Sequence, residues 1–190
     1  EGKSVVAIGP GISNDAETVA LIGELLPFIK CPLVLDADAL NAISHHNNWL
    51  KELPPETVLT PHPKEMSRLT GVSTEEIQKN RISTTSNFSS EHSLILILKG
   101  SPSLVGLDDG SVVINPTGNA GMATGGSGDV LTGIIAGLLA QGLSASQASI
   151  AGTYIHGQSG DHFAESESQT TLIAGDLLRY LPETLKHILP

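Results

Sequence analysis

The sequence holds a single cysteine, Cys31, so no internal disulfide can form and a reducing compartment, the cytoplasm, is the expected setting. Cys31 precedes an apolar run and is expected to be an inert buried thiol. Basic residues are also scarce. Ten Lys and Arg against twenty Asp and Glu give a formal charge of −10, which disfavours nonspecific attraction to nucleic acid or to an anionic membrane. A phosphorylated ligand would have to be held by local groups. No apolar stretch approaches the ~20 residues needed to cross a bilayer, and no signal-peptide pattern opens the chain. The phosphate loop built from glycine, four residues, glycine, lysine and Ser or Thr is absent, so a nucleotide site here must be of another kind. His45-His46 lies in a polar turn and His156 and His162 lack zinc-site spacing, so no structural metal site is expected. An initiating methionine is lacking too. The chain opens on Glu1, and Val5-Val6-Ala7-Ile8 already reads as a buried strand, so residues upstream are expected.

What is present suits one α/β domain over residues 1–190, with 39% hydrophobic residues and no repeat or linker. Ser4 to Ile8 reads as a strand ending in Gly9-Pro10-Gly11, and Asn14 or Asp15 can cap the helix that follows. Leu33-Val34-Leu35 closes a βαβ unit and places Asp36-Ala37-Asp38 at a carboxyl end, where a parallel sheet presents ligand-facing groups. Gly9-Pro10-Gly11 imitates a dinucleotide-binding fingerprint, but Asn14 stands where its third glycine belongs. Asp36 and Asp38 fit either a metal or helix capping. Val58-Leu59 leads to Thr60-Pro61-His62-Pro63-Lys64-Glu65, with Pro63 suited to the first helical position and Ser73 with Glu76 patterned as a capping box. His62 is either a loop histidine bonded to backbone or a ligand-facing group. The polar residues 80–93 read as a fraying loop. Leu94 to Leu98 is the most apolar strand and the expected central one, delivering Lys99-Gly100-Ser101-Pro102-Ser103 at its end. Lys99 either snorkels to solvent or meets an anion. A hairpin turns at Asp108-Asp109-Gly110.

The hairpin leads into Asn115 to Leu131, which the other segments surround. Its first half is small, polar and rich in glycine, and from Ser127 it takes on helical apolar spacing through Val130, Leu131, Ile134, Ile135, Leu138 and Leu139. A glycine loop feeding a helix N-terminus lets backbone approach a ligand, and the free amides with the positive end of the dipole favour an anion such as phosphate. Asp129, in the first turn, is placed to take a proton from a hydroxyl beside that phosphate. Gly133 and Gly137 recur four apart, so this helix is expected to be buried and closely packed. Helices are expected from Ser144 to about Phe163 and from Ile173 to Leu185.

Val34 to Asn41, Leu59 to Glu65, Leu98-Lys99-Gly100 and above all Asn115 to Leu131 resemble, in order and over nearly the whole chain, the motifs of the ADP- or ATP-dependent NAD(P)H-hydrate dehydratases. Glycine is usual in that family where Ser13 and Lys64 stand, and threonine where Ser103 stands. The resemblance implies a ribokinase-like three-layer α/β/α sandwich with a mainly parallel sheet, whose N-terminal portion precedes this chain. It implies repair of hydrated NADH or NADPH: the hydroxyl is phosphorylated by ADP or ATP with Mg2+, and phosphate is then eliminated. It assigns Asp129 as the base, with Gly11, His62 and Asp129 on the hydrate. It places Lys99, Gly100, Ser101, Pro102, Ser103, Asn119, Ala120, Gly121, Met122, Ala123, Thr124, Gly125, Gly126 and Gly128 around the nucleotide. A homo-oligomer is implied as well. A small-molecule kinase of the same fold and a noncatalytic nucleotide-binding domain stand as the alternatives.

Overall fold

A computed structural model of the chain describes residues 2–188; Glu1, Leu189 and Pro190, which the expected domain includes, lie outside the described residues. Four strands, β1 (Val6–Ile8), β2 (Leu33–Leu35), β3 (Thr57–Leu59) and β4 (Ile95–Leu98), pair in parallel in chain order. β5 (Leu104–Gly106) and β6 (Val112–Ile114) extend the sheet antiparallel as the expected hairpin.

The interior strands β2 and β4 are apolar at every position, and β3 at all but Thr57, because both faces of the sheet are covered. Leu33, Leu35, Leu59, Leu96 and Leu98 point to one side and pack on α1 (Ala16–Leu25), α2 (Ala37–His45), α3 (Pro63–Thr70), α4 (Thr74–Lys79) and α5 (Arg81–His92). Val34, Val58, Ile95 and Ile97 point to the other and meet α6 (Ser127–Ala140) and α7 (Ala145–Ser166). The result is a three-layer α/β/α sandwich. The last helix, α8 (Ala174–Ile188), joins α6 and α7 through a small core of Phe163, Leu172 and Leu177, with Val130 packed on it. No helix among the described residues is long and apolar enough to cross a membrane.

Three local expectations are corrected. Residues 80–93 are not a frayed loop: α5 occupies them, burying Thr85, Phe88 and Ser89 on one face. That face has the right helical spacing but is made largely of small hydroxylic side chains, which let the helix lie directly on β5. A Cβ on Gly106 would come 2.7 Å from Thr85 Cγ2. Polarity concealed the stripe; tertiary packing supplies the stability that propensity does not. Second, α6 is not enclosed on every side. It buries Leu131, Thr132, Ile135 and Leu139, while Gly133 and Gly137 face outward with nothing within 4 Å of a would-be Cβ. With Leu178, Leu181 and Leu185 of α8 they border an open apolar groove. Third, Cys31 is only half-buried, though unpaired as expected.

Candidate functional site

The motifs that follow the parallel strands gather at one end of the sheet. β2 ends in Asp36, which is buried at 1% exposure and accepts from the Ala37 amide at 2.8 Å, capping α2. The same carboxylate accepts from Lys99 Nζ at 2.8 Å and from Thr132 Oγ1 of α6 at 2.9 Å. It therefore ties the ends of β2 and β4 to the first turns of α6. Lys99 is thus neither a snorkelling side chain nor a bare anion receptor, because its charge is already half engaged. Glu65 Oε2 lies 3.9 Å from the same ammonium.

Three residues past the end of β3 stands His62, the N-cap of α3. Its Nδ1 accepts from the amides of Lys64 and Glu65, both at 3.1 Å, and Glu65 Oε2 accepts from the His62 amide at 2.8 Å, a reciprocal capping box with Pro63 at the first helical position. His62 is therefore bonded to backbone and faces the cavity as well. Burial, reinforced by Lys99, holds its pKa below the ordinary value against the opposing pull of Glu65, so the ring is neutral at pH 7 and free to accept those amides. Asp38 is spent on structure too, accepting from the Ser13 amide at 3.0 Å and Asn14 Nδ2 at 2.7 Å. Both aspartates of this stretch act as caps and ties, and no cluster of three metal-ligating side chains occurs among the described residues.

The glycine-rich loop is stitched to α7 through Thr117, Gly118 and Asn119. Thr117 Oγ1 donates to the Tyr154 carbonyl at 3.0 Å, and Asn119 Nδ2 donates to the Gly160 carbonyl at 2.8 Å and to Asp161 Oδ1 at 3.0 Å. Asp161 Oδ2 accepts from the Gly118 amide at 2.8 Å. A Cβ on Gly157 would lie 2.7 Å from the Thr117 carbonyl carbon, so the loop can seat on α7 only over a glycine. Gly126 then enters α6 with φ 85°, and the amides of Gly128 and Asp129 fall in the first turn, ahead of the helix's own hydrogen bonding. A Cβ on Gly128 would come 3.3 Å from Lys99 Nζ, which places this turn directly over the ammonium.

The space between these parts is a cavity of about 500 Å³. Lys99, Gly100, Ser101, Pro102 and Ser103 line one side, and Asn119, Ala120, Met122, Ala123, Thr124, Ser127 and Gly128 line another, with His62 at its edge. Gly121, Gly125 and Gly126 belong to the same loop without lining the cavity, and neither does Gly11, which lies past β1 with φ 71°. Asp129 is also outside it. The carboxylate is exposed and borders the open groove between α6 and α8, one residue beyond Gly128. The first turn of α6 thus separates an anion-receptive cavity from the aspartate.

Three residues that sequence reasoning passed over belong to this site. Asp161 holds the loop, as described. Arg81, at the start of α5, reaches beneath the Lys99 to Ser103 turn: Nη2 donates to the carbonyls of Leu98 at 3.2 Å and Pro102 at 2.7 Å. His156 of α7 lines the cavity, its Nε2 donating to the Ser127 carbonyl at 2.9 Å. Isolated polar residues within helices carry no motif, so no sequence signal marked them.

Burial pushes the His156 pKa down from 6.5 to about 4, opposed by the Ser127 carbonyl and aided by Lys99. Between those values the unfolded chain binds a proton that the native ring does not, so stability is full above about pH 6.5 and falls as pH drops towards 4. The full displacement corresponds to about 3 kcal/mol. Urea titrations at pH 7 and pH 4.5 are expected to show a loss of this order, and His156→Gln, which keeps a donor for Ser127 but cannot titrate, is expected to remove most of the difference. An equal pH slope in both proteins would exclude His156 as its source.

The comparisons with known proteins agree in direction. A family model described as NAD(P)H-hydrate dehydratase matches residues 1–183. The bifunctional NAD(P)H-hydrate repair enzyme Nnr of Moorella thermoacetica is 49% identical over 184 residues, 97% of this chain and 35% of that protein. This chain therefore spans about a third of the length of that relative. Among solved structures, the ADP/ATP-dependent NAD(P)H-hydrate dehydratase of Bacillus subtilis, co-crystallised with ATP and Mg2+, superposes with a TM-score of 0.86 at 33% identity, covering 98% of this chain and 65% of that one. A ribokinase-like superfamily protein of Enterococcus faecalis superposes with a TM-score of 0.84 at 30% identity, over 97% and 63% of the two chains.

Proposed function

The chain belongs to the NAD(P)H-hydrate dehydratase family, and on that premise we propose that it restores NADH or NADPH from the hydrated form at the expense of ADP or ATP. The observation that carries this reading is the first turn of α6, with amides over Lys99 on its cavity side and the Asp129 carboxylate on the other. The nucleotide would lie in the cavity, between the Lys99 to Ser103 turn and the Asn119 to Gly128 loop, its phosphates at the first turn of α6, where Gly128 lines the cavity. Lys99 and the helix dipole supply the local positive potential that the acidic chain lacks as a whole, and they outweigh distant screened charges. Mg2+ would enter with the phosphates.

The hydrate would approach from the Asp129 side, near Gly11 and His62. Asp129 takes the hydroxyl proton as the oxygen attacks the terminal phosphoryl group, which leaves AMP from ADP or ADP from ATP. The amides of the turn stabilise charge on the transferring group. The new C–O–P linkage then breaks at carbon, assisted by the ring nitrogen lone pair. Phosphate leaves with the bonding electrons, the adjacent ring carbon releases a proton to solvent, and the dihydropyridine double bond is regenerated. A small-molecule kinase would stop after the first step. Family membership favours the dehydratase over it, and an intact Asp129 favours either over a noncatalytic domain. One domain over residues 1–190, cytoplasmic residence and a homo-oligomeric state belong to the same reading, supported by the single six-stranded sheet packed on both faces, by the unpaired Cys31 and by the family resemblance respectively.

Incubating the protein with NADH hydrate, Mg2+ and each nucleotide tests it. The expected result is regenerated NADH absorbance with stoichiometric phosphate and AMP or ADP. Nucleotide consumption with a stable phosphorylated product would point to the kinase instead.

A further inference from the structure

We propose that Arg81 is a positioning residue for the nucleotide, holding the Lys99 to Ser103 turn in the shape that receives it. This rests on the reading of that turn as part of the nucleotide site. The guanidinium lies beneath the turn and gathers its carbonyl oxygens. Nη2 bonds those of Leu98 and Pro102, and Nη1 bonds Gln78 Oε1 at 3.0 Å and reaches 3.5 Å from the Lys99 carbonyl. In a trans peptide the N–H points opposite to the carbonyl. The Leu98 carbonyl, turned to Arg81, sends the Lys99 amide the other way, where it donates to the Pro61 carbonyl at 2.9 Å. By the same geometry the Lys99 and Pro102 carbonyls direct the amides of Gly100 and Ser103 away from the guanidinium, and both residues line the cavity.

Arg81 thereby removes electronegative oxygens from the path of a phosphate, leaves donors in their place, and adds a delocalised positive charge behind them. Gly100 makes the approach possible: it has φ 151°, and a Cβ there would lie 2.5 Å from Arg81 Nη1. Any side chain would push the guanidinium away. A lysine could not stand in, because its ammonium is a point donor and the planar fork bridges carbonyls at both ends of the turn.

Steady-state kinetics of the parent, Arg81→Ala and Arg81→Lys, with Kd for ADP and ATP measured by calorimetry, test the inference. Arg81→Ala is expected to raise nucleotide KM and Kd about tenfold, the effect of one or two lost charge-assisted contacts, with hydrate KM within about twofold. Guanidinium chloride at about 10 mM is expected to restore part of the affinity, and Arg81→Lys to restore little. If Arg81→Ala does not fold, Gly100→Ala is expected to give the same nucleotide-selective loss. Unchanged nucleotide Kd in Arg81→Ala, or equal losses for nucleotide and hydrate, overturns the inference alone. A parent that binds neither nucleotide overturns the functional reading and the inference with it.

Discussion

Asp129→Asn is expected to lower hydrate turnover by about 10²–10⁴-fold, the range for a lost general base, while leaving ADP and ATP affinity within a few-fold of the parent. Asparagine matches aspartate in shape and is tolerated in the first turn of α6, but it cannot take up the hydroxyl proton. The charge it removes lies on the groove side of the turn, outside the cavity proposed for the nucleotide, and would repel phosphate if anything. The substitution also forfeits a favourable interaction with the helix dipole, about 0.3–1 kcal/mol for an exposed carboxylate, so the melting midpoint moves little. Stopped turnover in a folded, nucleotide-binding variant therefore isolates proton transfer. Retention of turnover within a few-fold would refute Asp129 as the base and with it the phosphorylation step as drawn.

What the sequence made legible were the places where chemistry follows a strand. Asp36, His62 and Lys99 each end a short apolar run, and a parallel sheet delivers such ends to one edge of the domain, so their gathering follows from pattern and topology together. The Asn115 to Leu131 loop was legible because glycine followed by helical apolar spacing has few other meanings. Pairwise partners were not legible. Nothing local says that Asp36 takes Lys99 and Thr132, 63 and 96 residues away, and reading Asp36 as a helix cap left its other contacts open. α5 was missed because its buried stripe is Thr, Phe and Ser, which polarity counts as loop. The open face of α6 was misread for a related reason: small residues at helical spacing allow close packing, but whether a neighbour arrives is decided elsewhere in the chain.

Those partners set the second large effect. Lys99→Met is expected to destabilise the protein by about 3–5 kcal/mol, because it leaves the Asp36 carboxylate uncompensated where water cannot reach it. Asp36 is 1% exposed, and after the substitution its remaining donors are the Ala37 amide and Thr132 Oγ1, neither of them charged. Asp36→Asn is expected to cost less. The Lys99 side chain keeps 21% exposure and has Glu65 Oε2 at 3.9 Å, so its ammonium retains a partial counter-charge and some solvent. Combining the two removes the ion pair without leaving either charge buried alone, so the double variant is expected to lose less than the sum of the singles by 1 kcal/mol or more, roughly the scale of coupling between contacting groups. Urea unfolding of the four proteins at pH 7 gives that coupling directly. Nucleotide affinity, measured on the folded fraction, is expected to fall in both variants lacking Lys99, because the first turn of α6 then loses the ammonium beneath Gly128. If Lys99→Met costs under 1 kcal/mol and the singles simply add, the pair contributes nothing to the fold and Lys99 must be read as a ligand contact alone.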